Sequence, residues 1–152
     1  MKEEIPHSYY NKFSILCAIG YIIPIIFFFL NEKFTEFWLL YISNTIFASI
    51  LIICGIWVNG KFKDHSRLGD LIVPGIRVVI RSIILICILL AIVSWSFGGS
   101  VARQIDHKPA DLYIILAMNA IVVNFLIGCF SVFLGGVAIL KYKQNAKGED
   151  IT

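Results

Sequence analysis

Asn44, Asn119 and Asn124 lie deep inside long apolar stretches, and their amides are the groups in this chain that most require a chemical role. An amide brings donors and an acceptor that are costly to leave unbonded in an apolar medium. Two outcomes are open to it. It can bond across a helix interface, at roughly 0.6–2 kcal/mol, or it can line a polar path for a small solute. Asn44, Asn119 and Asn124 are therefore the candidate path residues as well as candidate interhelical glue.

Other reactive types lie near the ends of those stretches. Asp64, His65 and Asp70 form one polar cluster, and Asp106, His107 and Asp111 form another. Acid–base or metal chemistry at a membrane surface could use such groups. Neither cluster has histidines at ligand spacing, a glycine-rich phosphate loop or a nucleophile with an evident base. Asp106 and Asp111 are also well placed to cap a helix start. No catalytic, cofactor or metal residue is assigned, and the chain is not expected to be an enzyme. Cys17, Cys54, Cys87 and Cys129 fall one in each apolar run, with no Cys-x-x-Cys pair. They are expected to be buried thiols and not a disulfide framework.

Arg77 and Arg81 stand one helical turn apart, on the same line as Asp70 and Pro74. A charge at a bilayer centre costs several kcal/mol, roughly 3 or more, so both side chains are expected to reach for headgroups. With Lys61, Lys63 and Arg67 they form a candidate contact for anionic lipid.

A line of small residues completes the inventory. Ala117, Ile121, Asn124, Gly128, Ser131, Gly135 and Ala138 recur at alternating steps of four and three. Helices in lipid gain little from burying apolar area, so they associate through close backbone approach and polar contacts. This line is the expected helix-packing or partner face. Shorter counterparts are Cys87, Ala91, Ser94 and Gly98, and Asn44, Ala48 and Gly55.

The elements that must position these residues are four apolar runs, Phe13–Leu30, Phe37–Val58, Leu71–Phe97 and Leu112–Leu140. Crossing a hydrocarbon core about 30 Å thick takes roughly 20 apolar residues. With no water to bond the backbone there, each run must be a helix. The composition agrees: 59% hydrophobic, 15% charged and a mean hydropathy of +0.84, against about a quarter charged in a typical globular domain. The 152 residues are read as one four-helix membrane domain with no soluble domain. The first run is expected to be a retained span, since no small-residue cleavage signature follows it.

Cation placement sets the expected threading. Lys2, Lys12, Lys61, Lys63, Arg67, Arg77, Arg81, Lys141, Lys143 and Lys147 fall on one side, and Lys33, Arg103 and Lys108 on the other. Lys and Arg in short loops stay cytoplasmic. Aromatic residues form two matching belts, with Tyr9, Tyr10, Trp57, Phe62 and Tyr142 on the cation-rich side. The expected fold is thus an all-α integral membrane protein. Its four transmembrane helices form an antiparallel up-down-up-down bundle in the cell membrane, with both termini cytoplasmic.

These observations exclude a nucleic-acid binder, which needs a basic stripe on a readable fold. With no Asp, Glu or His near a run's centre, they also weigh against a proton-driven pump. The leading expectation is a non-enzymatic subunit or accessory component of a membrane complex, in a homo-oligomer or larger assembly. The alternative is a small facilitator or lipid-handling protein with a path through the three amides. An interfacial enzyme comes third.

Overall fold

The computed structural model describes residues 7–31, 37–61, 68–104 and 109–149. These residues form helices, and no strand occurs among them. The elements are α1 (His7–Leu30), α2 (Trp38–Lys61), α3 (Leu68–Gln104), α4 (Pro109–Met118), a π-helical turn (Asn119–Val123) and α5 (Asn124–Glu149). Among the described residues, four stretches are long and apolar enough to cross a membrane: Ser8–Leu30, Trp38–Val58, Ile72–Phe97 and Asp111–Ile139. The last runs unbroken through α4, the π turn and α5.

The helices outrun the apolar sequence that marks them. α1 begins at His7, before Phe13, and α3 begins at Leu68, ahead of Leu71. Apolar composition reports what lipid demands, whereas the i→i−4 ladder continues through polar flanks that water can solvate. Within the spans, hydroxyls are satisfied by their own helix. Ser14 donates to the Tyr10 carbonyl at 2.6 Å, Ser43 to Leu39 at 3.0 Å and Ser82 to Val78 at 2.7 Å. This back-bonding makes serine tolerable where water is absent. Pro24 lies inside α1 and Pro74 near the start of α3. Each lacks the N–H that would close one turn of the ladder.

α1 packs along both α2 and α3, and so does α5, while α2 and α3 meet more briefly. Aromatic contacts fix the helix ends. Trp57 sits 4.9 Å from Tyr9 and 5.5 Å from Phe13, centroid to centroid, joining the start of α1 to the end of α2. At the opposite end Phe28 stacks with Phe37 at 6.3 Å, and Phe29 with Phe97 at 5.6 Å. The core between these ends is built from Cys17, Tyr21, Ile25, Phe47, Val79, Ile86, Leu116 and Ala120, all buried. All four cysteines are free thiols.

Candidate functional site

The polar centre of the molecule is a clasp joining three elements. Asn44 on α2 donates from Nδ2 to Asn119 Oδ1 at 3.1 Å. Asn119, the first residue of the π turn, donates back from Nδ2 to Asn44 Oδ1 at 3.2 Å. The same Nδ2 donates to the Tyr21 hydroxyl on α1 at 2.7 Å. A reciprocal amide pair satisfies a donor and an acceptor on each partner, and Tyr21 takes up a further donor. Tyr21 is 1% exposed and Asn44 7%, while Asn119 is half-buried, so the clasp is shielded on the α1 and α2 sides.

Asn124 completes the group differently. It is fully buried, and its Nδ2 donates to the Ala120 carbonyl of its own helix at 3.3 Å. Its Oδ1 is buried with no hydrogen-bond partner. The side chain lies beside the Tyr21 hydroxyl. That hydroxyl accepts from Asn119 and still has a proton to give. A small adjustment would therefore satisfy both groups at once.

The π turn explains where the small-residue line goes. Asn124, Gly128, Ser131 and Gly135 are buried, whereas Ala117, Ile121 and Ala138 are exposed. Before the turn the buried positions are Leu112, Leu116 and Ala120. A π turn accommodates one extra residue, so the preceding helix is one position out of phase. Leu116 and Ala120 stand where an unbroken α-helix would put Ala117 and Ile121. After the turn a strict heptad drifts against the 3.6-residue period, and burial passes from Ala138 to Ile139. Cys87 and Ser94 on α3 are half-buried and Ala91 is exposed.

Within the buried part, Gly128 and Gly135 are not equivalent. A Cβ on Gly128 would lie 2.7 and 2.9 Å from the two Val79 methyls and 3.3 Å from Phe47. Valine is stiff about χ1 and cannot step aside. Gly128 is thus one close approach of α5 to α3, and Gly75 is another, where a Cβ would lie 2.5 and 2.8 Å from the two Val132 methyls. A Cβ on Gly135 would meet nothing within 4 Å. Gly135 borders a small cavity of about 30 Å3 walled by Tyr10, Cys54, Val78, Ser131 and Val132 among others. None of Asn44, Asn119 and Asn124 lines it.

The cation cluster is placed only in part. Arg77 is exposed on α3, and Arg81, half-buried, donates from Nη1 to Asn11 Oδ1 at 2.7 Å. Lys61 is placed only as the last residue of α2. Lys63 and Arg67 lie outside the described residues, as do Asp64, His65, Asp106 and His107. Asp111 is exposed in the first turn of α4. Among the described residues no group of three or more His, Cys, Asp or Glu is arranged to hold a metal.

Sequence reading singled out the three amides but missed Tyr21, which bonds one of them. The available signal was a tyrosine in mid-run, since a buried phenol usually finds a partner. Compared with protein-family models, with curated proteins and with solved structures, the chain matches none.

Proposed function

We propose that this chain is a non-enzymatic subunit of a membrane assembly, threaded up-down-up-down as an antiparallel bundle with both termini cytoplasmic. The observation that carries the reading is the reciprocal bonding of Asn44 and Asn119 under Tyr21. Amides that bond one another across helices hold a scaffold together and leave little to offer a solute. A face for a partner is available on α2. There Tyr41 is 72% exposed, and Thr45 and Ser49 follow it at helical steps of four, also exposed. Both hydroxyls are back-bonded to their own helix, at 2.8 Å each. Hydroxyl-bearing and small residues on a spanning helix suit contact with another helix better than contact with lipid chains.

Purification in mild detergent, with mass measured by light scattering, tests the assembly. The expected result is a particle heavier than one 17.1 kDa chain, dissociated by Thr45→Leu with Ser49→Leu. A homogeneous monomer without a partner contradicts it. Threading is tested in intact cells with single cysteines at Thr35, Ser100 and Lys147 in a cysteine-free background. An impermeant reagent should label the first two and spare the third, and the reverse pattern contradicts the orientation.

A second reading has its own support. The π turn and the unpaired Asn124 Oδ1 lie together, and π turns concentrate at functional sites. On this reading the amides form part of a path for a small uncharged solute. Stopped-flow glycerol uptake by proteoliposomes separates the two. Permeability above that of protein-free vesicles, abolished by Asn119→Leu, favours the path, and equal permeability favours the scaffold.

A further inference from the structure

The flank of α1 and α3 carries an open groove of about 320 Å3, lined by Asn11, Ser14, Ile15, Arg81, Ile84 and Leu85. Its residues are ordered along the helices. Asn11 and Arg81 stand at one end, near the start of the Ser8–Leu30 span. Ile15, Ile84 and Leu85 lie about a turn further toward the end where Phe29 meets Phe97. From Arg81 to Phe97 is about 24 Å at roughly 1.5 Å per residue, about 6 Å short of a hydrocarbon core about 30 Å thick. The long Arg81 side chain spans that difference and brings its guanidinium to headgroup level, with an apolar channel leading inward from it.

Two uncharged side chains hold the guanidinium in place. Asn11 Oδ1 accepts one of its N–H groups at 2.7 Å, and the Tyr10 ring lies under it with the centroid 5.7 Å from Cζ. Both contacts fix orientation without supplying negative charge. Among the described residues no carboxylate pairs with Arg81, while Lys12 and Arg77 are exposed nearby on the same two helices. A guanidinium has five N–H donors in a planar fork suited to phosphate oxygens. Among the described residues, Asn11 is the side chain whose oxygen accepts from that fork.

We propose that this groove binds one anionic phospholipid, its phosphate on Arg81 and Asn11 and one acyl chain along Ile15, Ile84 and Leu85. Polar and apolar walls follow in the order that a lipid at a membrane boundary presents them. A zwitterionic lipid brings its own cation into a site already crowded with positive charge, so selection runs toward the anionic headgroup.

Native mass spectrometry of the intact chain in mild detergent tests the site, with equal phosphatidylglycerol and phosphatidylcholine as probes. The expected result is one retained phosphatidylglycerol per chain in preference to phosphatidylcholine. Arg81→Gln should lower its retention roughly fivefold, the effect of one interfacial cation. Ile84→Trp fills the apolar part of the groove at an exposed position without touching the charge, and it should lower retention as well. It also decides the matter if Arg81→Gln fails to fold. Equal retention of the two lipids overturns the proposal, as does undiminished retention in either folded variant.

Discussion

The middle of the bundle and the end beside Tyr9 and Trp57 solve the same packing problem in opposite ways. In the middle, Asn44, Asn119 and Tyr21 are bonded across three elements, and Gly128 lets Val79 and Phe47 close on the α5 backbone. At the other end, Cys54, Pro74, Ser131 and Gly135 border a void where a Cβ on Gly135 would meet nothing, although one on Gly75 beside it would strike Val132. Both regions contain small residues at helical spacing on α5. Small size therefore does not by itself produce close packing. A stiff valine stands opposite a glycine at both levels, Val79 at Gly128 and Val132 at Gly75, so what distinguishes the middle is the polar bond between Asn44 and Asn119. In lipid, where apolar burial drives little association, such a polar bond adds to close glycine contacts in holding one level of a bundle tight.

Substitutions can break or sharpen this contrast, each read by unfolding in detergent. Gly128→Leu should have the largest effect, a loss of about 3 kcal/mol or more, because overpacking cannot be relieved against Val79. Asn119→Leu comes next, at about 1–3 kcal/mol, since it leaves buried polar atoms on Asn44 and Tyr21 unbonded. Gly135→Ala should instead raise stability by about 0.5–1 kcal/mol, because alanine loses less backbone entropy in a helix and the void accepts its methyl. The smallest change is expected for Asn124→Leu, within about 0.5 kcal/mol, because the loss of its 3.3 Å bond to the Ala120 carbonyl is offset by removing an oxygen that had no partner. Equal losses for Gly128→Leu and Gly135→Ala would remove the distinction between the two regions. A large loss for Asn124→Leu would mean that its oxygen has found Tyr21.

The four spans were legible in the sequence because lipid leaves a chain few options, and each apolar run had to be a helix. The lower half of the α5 line was legible for a similar reason. Asn124, Gly128, Ser131 and Gly135 share one face of any regular helix, and all four are buried. The π turn was not legible, because its i→i+5 bonds are chosen by packing and not by the propensity of Asn119–Val123. One trace of it existed: Asn119 and Asn124 are five residues apart and cannot share an α-helical face, yet both needed a partner. The Asn11–Arg81 bond lay beyond reach for another reason. It joins residues 70 positions apart, and its register depends on how α1 and α3 pack.

The central claim is that the amides serve as a clasp, and a double-mutant cycle on Asn44 and Asn119 measures it most directly. Asn44→Leu, Asn119→Leu and the pair together would be compared by unfolding in one detergent. If the two amides bond each other as described, each single change strands its partner, and the double change costs less than the sum by about 1 kcal/mol. Strict additivity, within about 0.3 kcal/mol, would mean that the two side chains do not interact, and the clasp would have to be given up.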